Sequence, residues 1–158
     1  MKKIEGEMNS KGFRFAVVGA RWNHVFTDRL IEGAEDALLR HGTNESDITV
    51  VRVPGCFEIP VTARELALTN KYDAIIAVGT LIKGDTDHYE LISSQLTSGI
   101  SKVMLDTGIP VTFGVITANT MEQALARSGS KAGNKGFEAA LAAIETVQVL
   151  NKIRKEGK

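Results

Sequence analysis

Residues 83–90 read Lys-Gly-Asp-Thr-Asp-His-Tyr-Glu, directly behind the apolar run Ala-Ile-Ile-Ala-Val-Gly-Thr-Leu-Ile. This concentration of ionisable groups around one imidazole, His88, is either a strand surfacing into water or chemistry presented at a pocket mouth. An imidazole titrates near neutrality and can both take and return a proton, which suits general acid–base work. At a helix start the same residue is also an ordinary surface histidine, and position alone leaves both readings open. Gly84 and Thr86 favour a turn, and a turn before a helix can present backbone amides to an anion. Trp22, the only tryptophan, is either a stacking surface for an aromatic ligand or a packing anchor. Glu58 is either a site carboxylate or the acid that complements the first turn of its helix. Arg127 near a helix end complements the dipole unless a ligand engages it. The segment Gly-Ser-Lys-Ala-Gly-Asn-Lys-Gly (129–136) lacks the Walker spacing and follows no strand, so it is a weak phosphate-loop signal. His24 and His41 read as structural.

The elements that must position these residues alternate in kind. Strand-like runs occupy 13–20, 47–53, 72–82 and 111–117. Helical patterns follow over 23–42, 58–69, about 87–106 and 119–128, and a long helix runs from the 129–136 segment to the C-terminus. The third strand is apolar without alternation, which predicts cover on both faces. Four β-α units with right-handed crossovers make a parallel sheet with helices on both sides. Ligands of such sheets bind beyond the carboxyl ends of the strands. Four segments must gather there: Ala-Arg-Trp-Asn-His, Pro-Gly-Cys-Phe-Glu, Thr-Leu-Ile-Lys-Gly-Asp-Thr-Asp-His and Thr-Ala-Asn-Thr. The early Lys-Lys-Ile-Glu-Gly-Glu-Met has no evident partner in the sheet, so it reads as a short strand for another chain.

Bulk composition narrows the function classes. The 158 residues suit a single domain, 1–158, with 43% hydrophobic and 24% charged residues. Nineteen basic residues balance nineteen acidic ones, which gives no electrostatic reason to expect nucleic acid or an anionic membrane as partner. No run of about 18 apolar residues predicts a membrane span. The N-terminus carries lysines without the apolar stretch of a secretory signal. One cysteine, Cys56, excludes an internal disulfide and a cysteine-rich metal site. A cytoplasmic location is the simplest expectation.

Over nearly its whole length the chain resembles the 6,7-dimethyl-8-ribityllumazine synthase family. The segments that carry the likeness are Phe-Ala-Val-Val-Gly-Ala-Arg-Trp-Asn, Val-Pro-Gly-Cys-Phe-Glu-Ile-Pro, the strand leading to His88, Pro-Val-Thr-Phe-Gly-Val-Ile-Thr and Arg-Ser-Gly-Ser-Lys-Ala-Gly-Asn-Lys-Gly. The resemblance implies a flavodoxin-like three-layer α/β/α sandwich. The implied reaction condenses 5-amino-6-(D-ribitylamino)uracil with 3,4-dihydroxy-2-butanone 4-phosphate, the penultimate step of riboflavin biosynthesis. It implies no metal and no organic cofactor. It implies a homo-oligomer with active sites between subunits: a pentamer, or twelve pentamers in a sixty-subunit shell. Association with riboflavin synthase is a further partner it admits.

The same resemblance assigns roles by motif. Trp22 would stack on the pyrimidine, with Cys56, Phe57 and Glu58 lining the pyrimidine and ribityl subsite. Thr80, Leu81 and Ile82 would supply backbone contacts, Asp85 and Thr86 would hold phosphate, and His88 would transfer protons. From the adjacent chain, Phe113 would cover the heterocycle, Arg127 would pair with phosphate and Lys135 would approach the ligand. Lys83 and Asp85 depart from the family's pattern and add an acid beside the expected phosphate site. The competing reading is a catalytically weak flavin- or lumazine-binding carrier or shell of the same fold.

Overall fold

The computed structural model describes residues 1–130 and 133–157; Lys131 and Ala132, within the glycine- and lysine-containing segment singled out above, lie outside the described residues. Four strands, β1 (Phe15–Ala20), β2 (Ile48–Val53), β3 (Ala74–Ile82) and β4 (Val111–Ala118), form one parallel sheet of order β2-β1-β3-β4. Helices α1 (His24–Arg40), α2 (Ile59–Leu68), α3 (His88–Thr107), α4 (Met121–Arg127) and α5 (Lys135–Glu156) connect and cover it. The expected boundaries hold to within a few residues. Pro60 sits in the first turn of α2 and Thr120 caps α4 through its hydroxyl, where each residue type is tolerated or favoured.

The unbroken apolarity of β3 has the cause expected of it. Ala74, Ile76 and Val78 enter a core with α1 and α5, whereas Ile75 and Ala77 enter a second core with α2 and α3. Successive strand side chains point to opposite faces, so a strand covered twice must be apolar at every position. Fully burying a residue such as Ile76 or Leu30 contributes about 1.5–3 kcal/mol. The chain leaves β1 for β2 on one side and returns to β3 on the other, so the sheet's switch point lies between the ends of β1 and β3.

One feature lies outside the sequence expectation. Ser128–Ser130 (β5) and Gly133–Asn134 (β6) pair antiparallel beside α4, in a stretch without β-forming residues. Residues 1–14 form no strand within the chain. Instead the N-terminal segment lies along α5: Lys152 Nζ donates to the Glu5 carbonyl at 2.9 Å and Gln148 Nε2 to that of Asn9 at 2.8 Å.

The start of α5 is fixed against α1 by the Asn-Lys-Gly segment. Asn134 Oδ1 accepts from the N–H groups of Gly136 and Phe137, at 2.9 and 3.1 Å, while its Nδ2 donates to the Arg29 carbonyl at 2.9 Å. A Cβ at Gly136 would overlap the Leu30 carbonyl group, so only glycine lets α5 approach the α1 backbone this closely. Gly136→Ala is therefore expected to cost at least about 3 kcal/mol, the upper range for overpacking. Thermal unfolding checks it, and an unchanged melting temperature contradicts this packing account.

Candidate active site

A cavity of about 490 Å³ opens at the switch point of the sheet, within the size range of small-molecule sites. Trp22 and Asn23 bring it the end of β1, and Cys56, Phe57 and Glu58 the turn before α2. Thr80, Leu81 and Ile82 form its wall from β3, and Gly84, Thr86 and His88 close its rim. Nine of the residues expected from sequence thus meet in one crevice. Trp22 and Phe57 are 74% and 57% exposed, two large rings offered to the crevice and not to the core.

Local hydrogen bonds set the shape of this crevice. Asn23 has left-handed backbone angles (φ 57°) and donates from Nδ2 to the Thr80 carbonyl at 2.8 Å. The bond ties the loop carrying Trp22 to the end of β3. Glu58 Oε2 accepts from the Gly55 N–H at 2.9 Å, which anchors the carboxylate at the start of α2 and leaves Oε1 for other partners. The helix-complementing and site readings of Glu58 are therefore compatible. His88 is the first residue of α3 and exposed, and its N–H meets Thr86 Oγ1 at a long 3.4 Å.

Cys56 is 4% exposed. Burial, joined by the nearby Glu58 charge and opposed by the Thr80 N–H, pushes its thiol up to about 12 from an ordinary 9.0. It lines the crevice as a neutral thiol, the form that is the weaker nucleophile. The folded chain keeps this proton in the range where the unfolded chain releases it. The stability contribution is complete below about pH 9 and is lost as pH rises towards about 12. Urea unfolding of the unmodified chain and Cys56→Ala across that range should show the gap between them narrowing with pH; a constant gap contradicts it. Close packing reinforces the placement, since a Cβ on Gly79 would lie 2.7 Å from Cys56 Sγ.

Four expected residues lie outside the crevice. Asp85 is exposed and does not line it, although its neighbours Gly84 and Thr86 do. Lys83 pairs with Glu90 at 3.6 Å, not with Asp85. Arg127 and Lys135 line a separate cavity of about 430 Å³ against Val115–Ala118 of the edge strand β4. Lys135 Nζ is held there by Glu138 Oε2 at 2.7 Å. Phe113, 41% exposed on β4, lines neither cavity. Among the described residues that line the crevice there is no lysine or arginine.

Sequence reasoning missed Asn23, Tyr89 and Ile92 in the crevice and Gln123 in the second cavity. An asparagine between strand and helix is a signal for left-handed backbone, but its bond across to β3 has no local signature.

The family model for 6,7-dimethyl-8-ribityllumazine synthase matches residues 12–151. The chain is also 51% identical over 154 residues to the 6,7-dimethyl-8-ribityllumazine synthase of Aquifex aeolicus (strain VF5), covering 98% of this chain and 100% of that protein. The chain belongs to the 6,7-dimethyl-8-ribityllumazine synthase family. The match spans both cavities, from Trp22 to Lys135, and the four-stranded parallel sheet with helices on both sides is the α/β fold the resemblance implied. Among the described residues no group of histidine, cysteine, aspartate and glutamate side chains could hold a metal ion, and no helix is long and apolar enough to cross a membrane.

Proposed function

We propose that two protomers of this lumazine synthase family member build one site, the crevice of one facing Arg127, Lys135 and Phe113 of its neighbour. The family's reaction is the condensation of 5-amino-6-(D-ribitylamino)uracil with 3,4-dihydroxy-2-butanone 4-phosphate. The observation that carries the shared site is the separation of charge. Among the described residues the crevice that holds His88 and the aromatic surfaces has no lysine or arginine in its lining, while Arg127 and Lys135 sit in another cavity of the same chain. A phosphate ester needs a cation, and a head-to-tail contact supplies one and generates a closed ring. Large apolar side chains left exposed on several elements, among them Val61, Leu91, Leu105 and Met121, give such contacts surface to bury.

In this reading Trp22 stacks on the pyrimidine and Glu58 Oε1 accepts from ribityl hydroxyls. The backbone of Leu81 and Ile82 orients the ring, and Phe113 covers it. Thr86 and Arg127 hold the phosphate, with Lys135 approaching the ligand. The aromatic amine attacks the ketone carbon, a C–N bond forms, and one water leaves to give an imine. His88 takes a proton from the carbon next to the imine. The electron pair then expels phosphate, which departs with its bonding electrons onto the Arg127 guanidinium. Loss of phosphate leaves an enol, which takes a proton at the carbon that bore the phosphate and gives up its hydroxyl proton to become a ketone. The ribitylamino nitrogen closes the ring on that carbonyl and a second water is lost. One substrate brings the nucleophile and the other the electrophile, so orientation supplies the larger share, on the order of 7–11 kcal/mol.

We further propose a cytoplasmic homopentamer whose N-terminal segment pairs with a neighbour, and closure of twelve pentamers into a shell able to associate with riboflavin synthase. Incubation with both substrates tests the reaction. Inorganic phosphate and fluorescent lumazine should appear in equal amounts. Binding of lumazine without turnover would instead make the chain a carrier. Sedimentation in the ultracentrifuge separates pentamer, shell and monomer, and a monomer contradicts the shared site.

A further inference from the structure

We infer that Gln123 is a specificity-determining residue of the phosphate pocket, its amide N–H groups binding the phosphate of the substrate beside Arg127; this rests on the assignment of Arg127 to phosphate. Gln123 and Arg127 stand four residues apart in α4 and line the same cavity, as side chains at that spacing share a helix face. The Asn119 N–H donates to Gln123 Oε1 at 2.8 Å. A backbone N–H can be met only by the amide oxygen, never by the NH₂ group. The oxygen is therefore committed to the start of the helix, and what the side chain has left for the cavity is a pair of donors. The Gln123 N–H itself donates to Thr120 Oγ1 at 3.1 Å, which fixes the backbone from which this side chain springs. Guanidinium and ammonium groups offer donors only, and none of the described residues lining the cavity is acidic. Arg127 and Gln123 present donors, and Lys135 adds the N–H groups that its ion pair with Glu138 at 2.7 Å leaves over, a set that suits an acceptor-rich anion. A neutral donor adds directional recognition without a further charge to desolvate.

The alternative role, a helix-start cap alone, is separable because the two ends of the amide do different work. Gln123→Glu keeps an oxygen for the Asn119 N–H but replaces the donors with a charged acceptor. Gln123→Lys loses the acceptor and keeps donors, now charged. Steady-state kinetics with each substrate varied, inhibition by inorganic phosphate and thermal unfolding are measured on the assembled protein, with Arg127→Ala alongside. Gln123→Glu is expected to raise the KM for the butanone phosphate and the inhibition constant for inorganic phosphate about tenfold or more, the scale of a hydrogen bond to a charged group. The KM for the uracil substrate and the melting temperature should not follow. Gln123→Lys is expected to lower the melting temperature yet tighten inhibition by inorganic phosphate. The inference is overturned if Gln123→Glu leaves both phosphate constants unmoved, or raises the KM of both substrates alike. Should Gln123→Glu fail to fold, Gln123→Lys decides alone, and inhibition weakened along with stability overturns the proposal. If Arg127→Ala also leaves the phosphate constants unmoved, the assignment of this cavity to phosphate has failed, not only the role of Gln123.

Discussion

Arg127→Ala should lower kcat/KM for the butanone phosphate by about a hundredfold or more, the scale for losing a charge-assisted contact to a group whose charge grows in the transition state. The effect divides between the two parameters. Ground-state binding of the phosphate ester weakens, so its KM rises. Departure of phosphate also loses its partner, so kcat falls. The KM for the uracil substrate should change little, because the proposed site puts its ring and ribityl chain against Trp22, Phe57 and Glu58, which line the other cavity. Arg127→Lys should recover only part of the loss, since an ammonium keeps charge without the planar fork. If Arg127→Ala left both kinetic parameters untouched, the phosphate assignment would be wrong.

His88→Ala should lower kcat about a hundredfold, the low end for general acid–base catalysis, with both KM values near those of the unmodified chain. Activity should not vanish. The amine and ketone come with the substrates, and their alignment against Trp22 and the β3 backbone does not depend on the imidazole. An exposed histidine at the rim, whose long contact to Thr86 is made by the backbone N–H and not by the imidazole, has a side chain with little structural work to lose. Its removal should therefore leave the melting temperature in place. Complete loss of turnover would mean that His88 does more than move protons, and full retention would return it to the surface-histidine reading.

Much of the fold is legible in the sequence because burial writes it there. The runs Phe15–Ala20 and Ala74–Ile82 are apolar or small at nearly every position because helices cover both faces; α1 ends just before Gly42, whereas α2 ends at Thr69 and Asn70, the latter in the left-handed region (φ 54°). What is not legible depends on contacts across the chain. The β5–β6 pairing uses serine, glycine and asparagine, residues with no preference for strands, and exists because α5 docks on α1 through Asn134 and Gly136. The crevice was legible as a gathering of strand ends, with nine of its residues foreseen. Asn23 and Gln123 escaped because each acquires meaning from one hydrogen bond, to Thr80 and to Asn119. Asp85 shows the converse. Its place in the loop suggested a phosphate contact, yet the chain turns it away from the cavity that Gly84 and Thr86 line.

The shared site is tested most directly by mixing two damaged chains. One carries His88→Ala with Glu58→Ala, spoiling its crevice; the other carries Arg127→Ala, spoiling its phosphate pocket. Each assembled alone should be nearly inactive. Refolded together in equal amounts, they should recover activity per site at about a quarter of the native value, because a random head-to-tail ring joins an intact crevice to an intact Arg127 at that frequency. Activity no greater than the sum of the two separate assemblies would show that crevice and arginine must come from the same chain, and would contradict the account.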